Sequence, residues 1–322
     1  LDLPTDQDTK EYFSPPLPYL FPSVVDSVCD KLNEVYLRDI KCTYIYGKLT
    51  QILQALMLIG IIFLIRNISE TIEPKNEKYL NSVLLLFIMI PVSYKSFAMI
   101  RGEPYISFFM FLLIAIVIKV AYREIEITNK LTFFTGIILG FIGLSRQWGL
   151  LFFPALLVLL VIVVRKNDKI FNVKFVKYSF LSFLISLFVF GWFYLMLFLD
   201  YGSLTAFNRA PVTFSFNNQP FSFYFGLGMD DIFSKPIRGF SMTNMLFPVL
   251  YSDVWGDYWG YFIVTMGRGG LEANYEIVRY LGRVNLVSIL PTLLMLSGIV
   301  GFLLKFNKNQ KNGVFYTFIL SA

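Results

Sequence analysis

Residues 104–122 read PYISFFMFLLIAIVIKVAY, nineteen positions whose only charge is Lys119. A stretch of about 20 apolar residues is the length a helix needs to cross the hydrocarbon core of a bilayer. It is one of several. Working outward, similar runs occupy 50–65, 80–100, 131–145, 149–164, 178–199 and 284–304, and an eighth begins at Val314. The fourth and fifth are short, and Gly149 and Pro154 near their junction predict a tight re-entry. Hydrophobic residues make up 56% of the 322 and charged residues 16%. A soluble domain carries about 45–50% and about 25%. The expected fold class is therefore all-α, a polytopic transmembrane helical bundle. A soluble enzyme, a disordered tail and a disulfide scaffold are excluded by the same balance. Histidine is absent, so no Ser-His-Asp triad, Cys-His pair or histidine metal site is available in the chain.

The joints between runs divide into two sets. Those at 66–79, 123–130, 165–177 and 305–313 hold thirteen Lys/Arg against six Asp/Glu. The alternate set, 1–49, 101–103, 146–148 and 200–283, holds thirteen against sixteen. Positive charge accumulates on the cytosolic side of membrane proteins. The first set is accordingly expected in the cytosol and the second outside. The pI near 9 then reflects joints facing anionic lipid and implies no nucleic-acid partner. The expected organisation is a first outer loop at 1–49, six spans within 50–199, a second large outer loop at 200–283, and a span plus the start of another at 284–322. This parity predicts a further helix upstream of Leu1, and the chain reads as the middle of a longer protein.

Polar residues concentrate outside the spans, which places the chemistry at the outer surface. The first loop contains Ser14-Pro15-Pro16-Leu17-Pro18-Tyr19, a stiff extended corner. From Phe21 to Tyr46, Val24, Val25, Val28, Leu32, Val35 and Tyr36 recur at near-helical spacing. That predicts a helix lying in the membrane interface or packed as a small cap. Cys29 and Cys42 are the only cysteines. A disulfide and two buried thiols are both open, and the absence of CxxC argues against metal binding.

The short outer turns read Arg101-Gly102-Glu103-Pro104 and Ser145-Arg146-Gln147-Trp148, with Lys95 near the first. An arginine fork gives two parallel charge-assisted hydrogen bonds to phosphate. The plainer reading is interfacial solvation with Trp148 as anchor. The second large loop contains Asp253-Val254-Trp255-Gly256-Asp257-Tyr258-Trp259. Rings there stack on sugar faces while acids take hydroxyls or a cation; an aromatic belt is the simpler alternative. Gly267-Arg268-Gly269-Gly270 lacks the lysine and spacing of a P-loop, and the sequon at Asn67 falls in a cytosolic joint.

In order and sidedness, these features resemble the polytopic GT-C glycosyltransferases, which take sugar from a polyprenyl-phosphate carrier. That group includes protein O-mannosyltransferases, lipid A aminoarabinose transferases and lipid-linked-oligosaccharide glucosyltransferases. The Pro15-Pro16-Leu17 corner, the Arg101-Gly102-Glu103 turn and the Arg146-Gln147 turn are similar to family features. The resemblance implies inverting sugar transfer to a lipid, glycan or protein acceptor. A carboxylate of the first outer loop acts as base, with Asp2, Asp6 and Asp8 the candidates in this chain and the family's own position falling upstream of Leu1. It implies that Lys95, Arg101 and Arg146 face the lipid phosphate, with Gln147 beside them. Glu103 would orient these cations or hold a divalent metal. Asp253, Trp255, Asp257 and Trp259 would hold sugar or acceptor. The implied location is the plasma membrane of a prokaryote or the endoplasmic reticulum of a eukaryote. A transporter or flippase of lipid-linked sugars is the alternative, and a non-catalytic scaffold subunit the third reading.

Overall fold

The computed structural model describes residues 12–36, 41–98, 101–157, 169–204, 220–233, 245–256 and 275–305. Among the described residues the secondary structure is entirely helical. The chain divides into two compact units. One comprises 1–85, 97–207 and 309–322, the other 86–96 and 208–308.

In the first unit α1 (Leu17–Tyr36) is followed by α2 (Cys42–Ile72), and a Cys29–Cys42 disulfide ties them. The bond resolves the alternative left open by the cysteine spacing. Pro18, Pro22 and Cys29 are buried in α1, whereas Leu20, Val24, Val28, Leu32 and Val35 form an exposed apolar stripe on its other side. α3 (Glu77–Met89) stops one residue short of Pro91, where α4 (Pro91–Lys95) begins. Proline supplies no amide hydrogen, and the expected span at 80–100 is two short helices rather than one long one. α5 (Glu103–Ala121) and α6 (Asn129–Ser145) follow. The short helix α7 (Gln147–Leu157) opens as a 3-10 turn, and α8 (Lys169–Tyr201) closes the described part of the unit.

Contacts fix the directions. Gly60 of α2 lies against the Phe108 ring of α5. Further along, Ile68 and Ile72 pack on Ala115 and Ile118, so α2 and α5 run parallel. α6 and α8 are parallel too: Thr135 meets Tyr178 at 2.8 Å, the Ser182 hydroxyl donates to the Thr132 carbonyl at 3.0 Å, and the Tyr194 hydroxyl donates to the Gly143 carbonyl at 2.8 Å. Their seam is lined by Gly136, Gly140 and Gly143. A methyl group on these would strike Ile185, Val189 and Phe190 in turn. Small residues let helices approach this closely where lipid, not water, is the surroundings. α5 and α6 are antiparallel, with Phe109 on Phe141, over a core of Leu113, Val117, Ile138, Leu139 and Ile142.

The second unit holds α4, α9 (Phe221–Phe225), α10 (Met229–Phe233), α11 (Leu246–Gly256), α12 (Tyr275–Val287) and α13 (Ile289–Lys305). Its interior is pinned by Asn285, whose amide donates to the Ile232 carbonyl and to the Ser252 hydroxyl, both at 2.8 Å.

Among the described residues, four helical stretches are long and apolar enough to cross a membrane: Cys42–Ile72, Glu103–Ala121, Ile170–Tyr201 and Arg279–Ser297, the last running from α12 into α13. Asn129–Ser145 and Gln147–Leu157 are apolar but shorter. The run from Val314 lies outside the described residues.

Candidate functional site

The two short turns expected on the outer face meet at one end of the first unit. Glu103 enters there because Gly102 and Pro104 start α5: proline suits a first turn, whose amide hydrogens have no helical partner. An acid in that turn also complements the helix dipole. Arg146 follows the last residue of α6 with an extended backbone, φ −155° and ψ 147°. That conformation ends the helix and sends the side chain sideways across Gly102. Nη2 of Arg146 donates to Oε1 and Oε2 of Glu103 at 3.0 and 3.1 Å. The two side chains are 19% and 27% exposed. Only glycine fits at 102, since a methyl group would run into the Ser145 carbonyl and come within 2.8 Å of Arg146 Nε.

The first loop reaches the same place. Gln147 Nε2 donates to the Phe13 carbonyl at 2.7 Å. Tyr12 packs on Tyr201 at the end of α8, ring centroids 4.7 Å apart, in a cluster with Leu144, Phe193 and Leu197. Arg101 is half-buried on the adjoining turn, without an ion pair among the described residues.

Joints of the basic set gather at the opposite end. Thr71 donates to Glu124 Oε2 at 3.0 Å, and the Arg123 guanidinium lies 4.5 Å from the centre of the Phe171 ring. Within the first unit, described residues of the joints 66–79, 123–130 and 165–177 thus lie at one end, and those of 1–49, 101–103 and 146–148 at the other.

Two residues that the sequence reading passed over, Gln54 and Tyr105, carry buried polar groups without a partner, and Arg146 has one at Nε. The groups are the Tyr105 hydroxyl and both polar atoms of the Gln54 amide. Gln54 is 0% exposed and Tyr105 4%. The signal in the sequence was available: Thr50 and Gln54 interrupt an apolar run at helical spacing.

No protein-family model matches the chain, and no curated protein and no solved structure matches it either.

The remaining candidates lie elsewhere. Lys95 ends α4 in the second unit, half-buried. Asp253 is half-buried on α11, and Trp255 beside it is 6% exposed, its ring inside the unit. Asp2, Asp6, Asp8, Asp257 and Trp259 lie outside the described residues. Asp26 and Asp30 place carboxylates within 4.8 Å of the Cys42 sulfur. That sulfur is bonded to Cys29, so it offers no thiolate and two acids remain. A cavity of about 560 Å³ among α5, α6, α7 and α8 is lined by Leu113, Val117, Leu139, Phe153 and Phe175, and among the described residues Tyr178 is its only titratable group. Its lining suits apolar chains.

Proposed function

We propose that the chain is a multi-pass membrane glycosyltransferase that moves a sugar from a polyprenyl-phosphate carrier to an acceptor hydroxyl at the outer or lumenal face. The observation that carries the reading is the meeting of the Tyr12–Phe13 segment, the Gly102–Glu103 turn and the Arg146–Gln147 turn at one end of a helix bundle. These pieces are far apart in the chain, and each comes from the joint set that charge assigns to the outside.

In the proposed step, a carboxylate of the first outer loop takes the proton of the acceptor hydroxyl. The acceptor oxygen bonds to the anomeric carbon as the bond from that carbon to the phosphate oxygen breaks, with inversion. The electron pair leaves on the polyprenyl phosphate. Cations stabilise that charge where it develops. Arg101 is the readiest, because Arg146 already shares one nitrogen with Glu103. Lys95 belongs to the proposal on its sequence position. The residues that hold the sugar are taken from the Asp253–Trp259 stretch, and a divalent metal would sit with Glu103.

A second reading, a transporter or flippase of lipid-linked sugars, draws on one observation. The parallel pairs α2/α5 and α6/α8 run in opposite directions, as in inverted repeats. The test uses the full chain reconstituted in vesicles with a labelled polyprenyl-phosphate sugar. Label recovered on an acceptor, with polyprenyl phosphate released, supports the transferase. Intact labelled lipid exchanged between leaflets supports the flippase.

A further inference from the structure

We infer that Gln54 and Tyr105, which the register of α2 on α5 brings to the level of the Glu103–Arg146 pair, form a binding site for an uncharged, hydroxyl-bearing group. The register puts them together. On α2 the buried stripe runs Thr50, Gln54, Ile61, Ile65, Ile68 and Ile72, and its lower part packs on α5 through Ala115 and Ile118. Gln54 therefore looks toward α5. Gly60 lies against Phe108, so six residues nearer the N-terminus of each parallel helix brings Gln54 level with Gly102. Tyr105 is three residues before Phe108 and so shares its side of α5. Helical side chains lean toward the N-terminus of their helix, which carries the Tyr105 hydroxyl toward the level of Gln54.

Native proteins seldom leave buried polar atoms unpaired, and each such atom asks for a reason. Here four occur on three residues: both atoms of the Gln54 amide, the Tyr105 hydroxyl and Arg146 Nε. Together they offer N–H and O–H donors and, on Gln54 and Tyr105, oxygen acceptors. Glu103 already neutralises Arg146. A desolvated anion would find no net positive charge to offset its loss of water. A hydroxyl both donates and accepts, carries no charge and matches the mixed set. The polyprenyl phosphate would then lie outside this site, toward Arg101. The identification of the hydroxyl with the glycosyl acceptor rests on the transferase reading; the binding chemistry does not.

The test is a titration of the full chain in lipid nanodiscs with two neutral probes, methyl β-glucoside and methyl α-mannoside, and with inorganic phosphate. The variants are Gln54→Leu, which keeps volume and removes the amide, and Tyr105→Phe. At least one glycoside is expected to raise the unfolding temperature of the wild type. Each variant should weaken that glycoside about fivefold, the scale of one lost neutral hydrogen bond, and leave phosphate binding unchanged. The inference is overturned if neither glycoside binds the wild type, or if both variants bind it as tightly as wild type. It is overturned equally if phosphate is the probe the variants lose. Sugar transfer measured on the same preparations separates the two claims. Transfer without the glycoside effect removes this site, and the glycoside effect without transfer removes the transferase.

Discussion

A single nitrogen of Arg146 donates to both carboxylate oxygens of Glu103, joining residues 43 positions apart. The pair holds the C-terminal end of α6 to the start of α5. Both partners are less than a third exposed, so water screens the bond only in part. A double-mutant cycle with Glu103→Gln and Arg146→Ala should give a coupling of about 1.5 kcal/mol, the lower end for a charged hydrogen bond. Chemical or thermal unfolding of the four proteins measures it. If the pair also shapes the phosphate site, Arg146→Ala should cut transfer at least about tenfold. Wild-type turnover in that variant would remove Arg146 from the proposed mechanism.

Gly102 is the counterpart of that bond. Its missing side chain is the space through which the Arg146 side chain passes. Gly102→Ala should destabilise the protein by about 1–3 kcal/mol, because one obstacle is backbone and cannot swing aside. A melting temperature equal to wild type would show that the turn relaxes more easily than its geometry suggests.

Most of the helical framework was legible in the chain, because runs of apolar residues and the charge of their joints are local properties. Six of the eight joints have described residues in the first unit that fall at its two ends according to their set. What was not legible came from distance. Nothing in Arg146 names Glu103 as its partner, and nothing in Gln147 names the Phe13 carbonyl. The broken second run was readable from Pro91, but mean apolarity outweighed one proline. Tyr105 was missed for a different reason. A tyrosine near a helix start reads as an interfacial anchor, and only its burial shows a hydroxyl without a partner.

The Cys29–Cys42 bond closes a short loop between α1 and α2. Cross-linking a loop of this size constrains the unfolded chain, and its removal should cost about 2–4 kcal/mol. Replacing both cysteines by serine, or adding reductant, should lower the unfolding midpoint accordingly. An unchanged midpoint would mean that packing between α1 and α2 suffices alone.

The exposed apolar stripe of α1 makes a further prediction. Photoactivatable residues at Val28 and Leu32, both exposed, should label lipid in reconstituted vesicles, and one at the buried Pro22 should not. Labelling of protein alone from positions 28 and 32 would make α1 a packed cap.

The three glycines between α6 and α8 have a mechanical consequence. Side chains of α8 fill the notches they leave, and Tyr194 bolts the seam to the Gly143 carbonyl. Helices interlocked at this density cannot slide past one another without opening voids. The pair is therefore expected to move as one body. The seam between α2 and α5 differs in kind. By the register of α2 on α5 it carries hydrogen-bonding groups without partners at its upper end, so a partner can be taken up there without unpacking the wall behind it.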